Sequence, residues 1–364
     1  MSGTWGNAIK FTIFGESHGV AIGGVLDGIP AGTKMDFDKI DVEMKRRNHR
    51  SFFSTARDEK DEYEVLSGVL GDVATGSPIA FIIRNKDQKS SDYLNLNVTP
   101  RPGHADYPAA VKFSGYNDYR GGGHFSGRIT APLTFAGSVT RQILEKKGIF
   151  IASHISSIGT VQDCSFLDFP LKSDSIKKLH DMEIPVIDEK AGEEMAEEIK
   201  RHKEDCNSVG GVIECAVCGV PAGIGSPFFE SVESALAAMM FSIPAVKGIE
   251  FGKGFEITHM SGFEANDNYA VKDGKVEALS NNNGGVLGGI TNGMPIIFRV
   301  AIKPTPSVFK TQKTVNLETM ENTEITLKGR HDSCIVPRAV AVVEAAAALV
   351  IADLDMRFGK REQV

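Results

Sequence analysis

No stretch of this sequence is apolar for long enough to cross a bilayer: the most apolar segment, residues 339–352, is too short and carries Glu344. Residues 1–10 lack the hydrophobic run of a secretory leader, so a cytoplasmic location and no membrane partner are expected. Cysteine is sparse. The 5 cysteines form an odd set without framework spacing, which argues against a disulfide scaffold. Cys215 and Cys218 make a lone C-x-x-C inside an apolar run, and no second pair completes a zinc site, so buried strand positions are expected. Histidines do not recur at helical spacing beside a carboxylate, so no metal is expected. Basic charge is not in excess: 40 Lys and Arg against 47 Asp and Glu give −7, which argues against a nucleic-acid partner. An anionic small molecule remains open, because local arginine clusters set the local field. Neither a P-loop nor a dinucleotide fingerprint is present.

What is abundant is glycine, with 38 residues spread through apolar runs, which reads as many tight turns between strands. Three acid–base residues lie in such turns or in arginine-rich loops: His18 in Gly15-Glu16-Ser17-His18-Gly19, His104 in Arg101-Pro102-Gly103-His104-Ala105-Asp106, and Asp332 in Arg330-His331-Asp332. Asp106 is placed to fix the tautomer of His104. A basic cluster, Lys45-Arg46-Arg47-Asn48-His49-Arg50, reads as an anion funnel or as a solvated helix end. Gly121-Gly122-Gly123-His124-Phe125-Ser126-Gly127-Arg128 reads as a backbone-rich anion cradle leading into a helix.

The chain also echoes itself. Gly68-Val69-Leu70-Gly71 followed by Gly76-Ser77-Pro78-Ile79 returns, at the same internal spacing, as Gly285-Val286-Leu287-Gly288 followed by Gly293-Met294-Pro295-Ile296. Gly28-Ile29-Pro30-Ala31-Gly32 returns as Gly219-Val220-Pro221-Ala222-Gly223. Duplication within one domain, residues 1–364, is the reading, with halves at 8–150 and 208–355 and a connector at 151–207. Strands are expected at 10–15, 20–26, 63–70, 79–84, 212–220, 255–260, 296–302 and 324–327. Helices are expected at 132–147, 192–203 and 336–357. Short antiparallel strands with helices segregated into a layer define an α+β class. A pseudo-two-fold relation between the halves would let their Arg/His/Asp loops converge on one cleft.

These segments, together with Tyr119-Arg120-Gly121-Gly122-Gly123, Ala245-Val246-Lys247-Gly248, Lys303-Pro304-Thr305 and Gly329-Arg330-His331-Asp332, resemble one family, chorismate synthase, in its motif order. The resemblance implies a β-α-β sandwich with internal pseudo-two-fold duplication, assembled as a homotetramer. It implies elimination of phosphate from 5-enolpyruvylshikimate 3-phosphate to give chorismate, with reduced FMN as cofactor and NADPH as a possible reductant. By motif, His18 would protonate the departing phosphate, His104 would serve the reduced flavin, and Asp332 would assist proton removal. Arg46, Arg101, Arg128 and Arg338 fall at substrate positions. His124, Ser126, Ala245, Gly288, Lys303, Thr305, Ser307 and Arg330 fall at or beside FMN positions. Two departures stand out: His124 and Phe125 replace an arginine and a serine, and Phe52 replaces an arginine that Arg50 is expected to succeed. A relative that binds flavin or an anionic metabolite as a sensor is the alternative these departures raise.

Overall fold

The computed structural model describes residues 3–48, 61–86, 96–169, 171, 173–327 and 331–359. Arg50, Phe52 and Arg330 lie outside them.

Two five-stranded sheets carry the fold. The first contains β1 (Lys10–Gly15), β2 (Ala21–Asp27), β3 (Tyr63–Val65) and β4 (Ile79–Arg84), with Thr4–Trp5 on its edge. The second contains β5 (Phe150–Ile158), β6 (Gly211–Cys218), β7 (Val246–Phe251) and β8 (Ile296–Ile302), with Val161–Gln162 on its edge. Every pairing is antiparallel, and the strand orders are edge-β1-β2-β4-β3 and edge-β5-β6-β8-β7. Helix α1 (Phe37–Arg47) follows β2 and α2 (Thr130–Lys146) comes after β4. In the same places of the second half stand α3 (Val232–Ser242) and α4 (Val336–Phe358). The order ββαββα therefore occurs twice, and each half places a two-strand hairpin ahead of its last strand, at 69–74 and 286–291.

Helices α2 and α4 pack on each other between the sheets, α2 against β2 and α4 against β5 and β6. Their surfaces explain the layer. In α4 the run Val340–Leu354 is buried along its whole length, and α2 is buried from Thr130 to Thr140. Burying each Val, Leu or Ile of such a helix contributes about 1.5–3 kcal/mol. The two helices are in close contact at Gly137, where a methyl group would stand 2.4 Å from Ala345. The carboxylate of Asp353 near the end of α4 accepts the N–H groups of Asn7, Ala8 and Ile9 at 2.7–3.0 Å, anchoring the chain just ahead of β1.

Several expectations need correcting. The segment expected as a connector from 151 supplies β5, an interior strand that pairs with β6. Ser153, His154, Ser156 and Ser157 disguised it, because they interrupt the apolar pattern that would have marked a strand, and His154 is buried between Asp163 and Glu214. Residues 254–259 form a 3-10 helix instead of a strand, since Gly252 and Gly254 turn the backbone at φ 55° and Glu250 accepts the N–H of Phe255. The run 63–70 is broken after Val65, with Gly68 at φ 85°. Residues 324–327 only overlap the end of a hairpin, Gln312–Asn316 with Glu321–Ile325. Cys215 is buried, Cys218 is half-buried, and both are free; burial pushes the Cys218 thiol up to about 11, in keeping with packing positions.

Candidate active site

Gly15, at φ 100°, ends β1 and turns the chain into Glu16-Ser17-His18, which Gly19 closes through its N–H to the Glu16 carbonyl at 3.0 Å. Ser17 is fully buried and His18 nearly so. The Ser17 hydroxyl donates to the carbonyls of Arg120 and Gly121 at 3.2 and 3.0 Å, while its N–H donates to the Gly123 carbonyl at 3.1 Å. The His18 turn is thus stitched to the glycine triplet.

That triplet has positive φ throughout, at 60°, 86° and 55°. A Cβ on Gly121 would lie 2.0 Å from Cε1 and Nδ1 of His18. A Cβ on Gly122 would lie 3.1 Å from Cε1 and 3.2 Å from Nε2 of His104. Two consecutive glycines therefore bring together imidazoles that are 86 residues apart in sequence (104 minus 18).

His104 is held by its own loop. Asp106 Oδ1 lies 2.6 Å from Nδ1, and because a carboxylate only accepts, Nδ1 carries the proton. Arg101 donates to both oxygens of Asp106, from Nε at 2.7 Å and from Nη2 at 2.8 Å. Burial pushes the Asp106 pKa up, but the hydrogen bonds from Arg101 and His104 outweigh it and hold it well below the usual carboxylate range.

The second half meets this loop at residues 303–307. Lys303 Nζ donates to the Gly103 carbonyl, and Lys303 N–H donates to the Ala245 carbonyl at 2.9 Å. Arg101 Nη1 reaches the Ser307 hydroxyl at 3.5 Å. Burial, reinforced by Lys247, lowers the pKa of Lys303. Thr305 donates to the carbonyl of Asp332 at 3.0 Å, and Arg338 Nη1 pairs with Asp332 Oδ2 at 2.8 Å. Ala245, Lys303, Thr305, Ser307, Asp332 and Arg338 are thereby tied into one contact chain that reaches the His104 loop through Lys303 and Ser307.

Other expected residues take different places. His124 donates from Nδ1 to the Gly15 carbonyl at 2.8 Å, bracing the His18 turn. Ser126 caps the short helix Gly127–Ile129 by accepting from the Arg128 N–H. Gly288 sits at the tip of the separate 286–291 hairpin, where a Cβ would meet nothing within 4 Å. Arg46, expected as a substrate contact, turns inward instead. Its guanidinium bonds Glu344 at 2.7 Å and Glu43 at 2.8 Å, beside Arg141 and His180. One residue further along α1 is about 100° of rotation, which carries Arg47 to the opposite task. Arg47 pairs with Asp61 at 2.6 Å, and Arg128 pairs with the other oxygen of Asp61. Glu43, His180 and Glu344 bring ligand atoms within 4.8 Å of one another, yet Arg46 and Arg141 already neutralise both carboxylates.

Sequence reasoning missed Asp61, Asn85 and Arg47. Asp61 sits in a charged run that reads as solvated surface, and Asn85 looks like an ordinary residue after a strand. Only the placement of Arg47 beside Arg46 in the basic cluster carried a signal.

A two-sheet α+β sandwich here gathers buried His18, half-buried His104, buried arginines and a glycine-lined wall in one place, side chains of the kind that can exchange protons with an anionic small molecule. The family model described as chorismate synthase matches residues 9–356. A chorismate synthase of Pyrococcus abyssi is 48% identical over 349 residues, covering 96% of this chain and 96% of that protein. One from Dehalococcoides mccartyi is 44% identical over 360 residues, covering 99% and 98%. A crystal structure of a chorismate synthase superposes with a TM-score of 0.77 at 32% identity, covering 97% of this chain and 93% of that one. The chain belongs to the chorismate synthase family, and its function is the formation of chorismate. Among the described residues no helix is long and apolar enough to cross a membrane.

Proposed function

We propose that this chain is a carbon–oxygen lyase that eliminates phosphate from 5-enolpyruvylshikimate 3-phosphate, with His18, His104 and Asp332 as its acid–base residues and reduced FMN as its cofactor. The observation that carries the reading is the Gly121-Gly122 wall, which lies against both imidazoles.

The residues present suit a reduced flavin. The donors gathered at the His104 loop are Arg101, Lys303 and Ser307, with Thr305 two residues beyond Lys303, cations and hydroxyls matched to a phosphate tail and an electron-rich ring. When bound, FMN supplies the electron chemistry of the elimination. The protein's part is orientation and proton control. His18 offers a proton to the departing phosphate, which leaves more readily protonated than as a bare anion. Arg128 and Arg338 present cationic N–H groups toward substrate anions, Arg128 held by Asp61 and Arg338 by Asp332. Nδ1 of His104 stays protonated through Asp106, leaving Nε2 beside Gly122 as the working face. Asp332, oriented by Arg338, is the acceptor group for the ring proton.

An anaerobic assay with substrate, FMN and a chemical reductant tests this. Chorismate should form, and His18→Ala should impair turnover far more than flavin binding; flavin binding without product would favour a sensor. Adding NADPH in place of the chemical reductant asks whether the chain reduces its own flavin. The exposed Phe228, Phe229, Phe255 and Phe263 favour assembly into the family's homotetramer, which sedimentation would detect.

A further inference from the structure

Asn85 follows β4 and stands between the His18 turn and Arg128. Its Nδ2 donates to the carbonyls of Glu16 and Gly19 at 3.0 and 2.9 Å, the two ends of the turn that carries His18. Its Oδ1 accepts from Arg128 Nε at 3.1 Å. The main-chain N–H of Asn85 also donates to the Val20 carbonyl at 3.2 Å, so its backbone is pinned to the same segment. Arg128 is buried and bound to Asp61 through Nη1, and Asp61 in turn holds Arg47. The Arg47 carbonyl accepts from Arg338 Nε at 3.2 Å, and Arg338 pairs with Asp332. One polar chain therefore runs from the His18 turn to Asp332, and Asn85 is its link to the turn.

We propose that Asn85 is a positioning residue for proton delivery by His18, coupling the acid's turn to the Arg128 guanidinium so that acid and cation keep a fixed separation. The proposal rests on the acid role given to His18 above. The amide is the side chain that suits the position. It must donate to carbonyls on one side and accept from a guanidinium on the other. An aspartate would keep the acceptor but face two carbonyl oxygens with negative charge, and an alanine would supply neither. A loosened turn costs rate without removing any reacting group, since misplacement by about 1 Å can cost about a hundredfold.

The test is a double-mutant cycle on the full chain, measured anaerobically with substrate and reduced FMN, with thermal unfolding run alongside. Asn85→Ala should lower kcat by roughly tenfold or more in the parent, yet by less than roughly twofold in a His18→Ala background, because the acid it positions is gone. Asn85→Asp, which retains the acceptor for Arg128, should lower kcat while leaving KM near the parent value. Equal losses from Asn85→Ala in both backgrounds, or an Asn85→Asp enzyme with raised KM and intact kcat, overturns the positioning role. A fully active His18→Ala single variant instead overturns the acid assignment, so the two failures are told apart.

Discussion

Gly121 and His18 are in contact so close that no side chain fits between them: a Cβ at 121 would stand 2.0 Å from two atoms of the imidazole. Gly121→Ala must therefore displace the ring, and it also places alanine at φ 60°, which costs about 1–2 kcal/mol. We expect kcat to fall about a hundredfold. Gly122→Ala should be milder, because its nearest atom of His104 is 3.1 Å away and a small ring shift relieves the contact. Equal rates for the two variants would contradict the wall described here.

Asp106 neutralises Arg101 and orients His104 from inside the protein. Asp106→Asn keeps the shape and removes the charge, leaving the buried Arg101 without an ionic partner. Breaking a buried pair in this way costs about 3–5 kcal/mol. Urea unfolding should show that loss together with a lower kcat. A stable variant with parent kinetics would mean that His104 needs no carboxylate.

The network of Glu43, Glu344, Arg46, Arg141 and His180 ties α1, α2 and α4 to the helix Ser173–Asp181. Burial pushes the Glu43 pKa up, but Arg141, His180 and Arg46 outweigh it and hold it at about 2 against an ordinary 4.5. A carboxylate with a lowered folded pKa stabilises the fold above its unfolded value and loses that contribution as pH falls. Stability from Glu43 should thus be complete above about pH 4.5 and vanish as pH drops through about 2. Glu344→Gln, which removes the buried carboxylate shared by Arg46 and Arg141 and leaves them Glu43 and the more distant Glu145, should unfold about 3–5 kcal/mol more easily at neutral pH.

His154 has the opposite sign. Burial pushes its pKa down, but the hydrogen bonds it donates to Asp163 and Glu214, each at 2.9 Å, hold it above the ordinary 6.5. Its contribution to stability is fully present below about pH 6.5 and is lost as pH rises through the raised folded value. Melting temperature followed from pH 6 to 10 should decline more steeply in the parent than in His154→Gln. Parallel curves would show that the imidazole is not charged in the fold.

Gly137→Val tests the helix layer. The added side chain meets Ala345 of α4 at 2.4 Å from its first carbon, so α2 and α4 must separate. Overpacking of this kind costs about 1–3 kcal/mol or more, which denaturant unfolding would resolve.

Much of the layout could be read before any coordinates. Strands at 10–15, 79–84 and 296–302 coincide with β1, β4 and β8, because their apolar runs end at glycine or charge. Helix α4 was legible from its apolar length. The strand β5 was not, because its serines break the apolar pattern and His154 owes its burial to partners at Asp163 and Glu214, which local pattern does not reveal.

The candidate acid–base residues and the glycine triplet could be picked out by sequence alone, because their chemistry lies in residue type and neighbours. The triplet's contact with both His18 and His104 belongs to the tertiary structure. So does the turning of Arg46 into the core while Arg47 reaches Asp61. Which side a helix face meets, and which carbonyl an amide such as Asn85 finds, depend on packing between segments far apart in the chain. A single residue's rotation along α1 separates the network of Glu43 and Glu344 from the pair with Asp61, and the packing of α1 against α2 and α4 determines it.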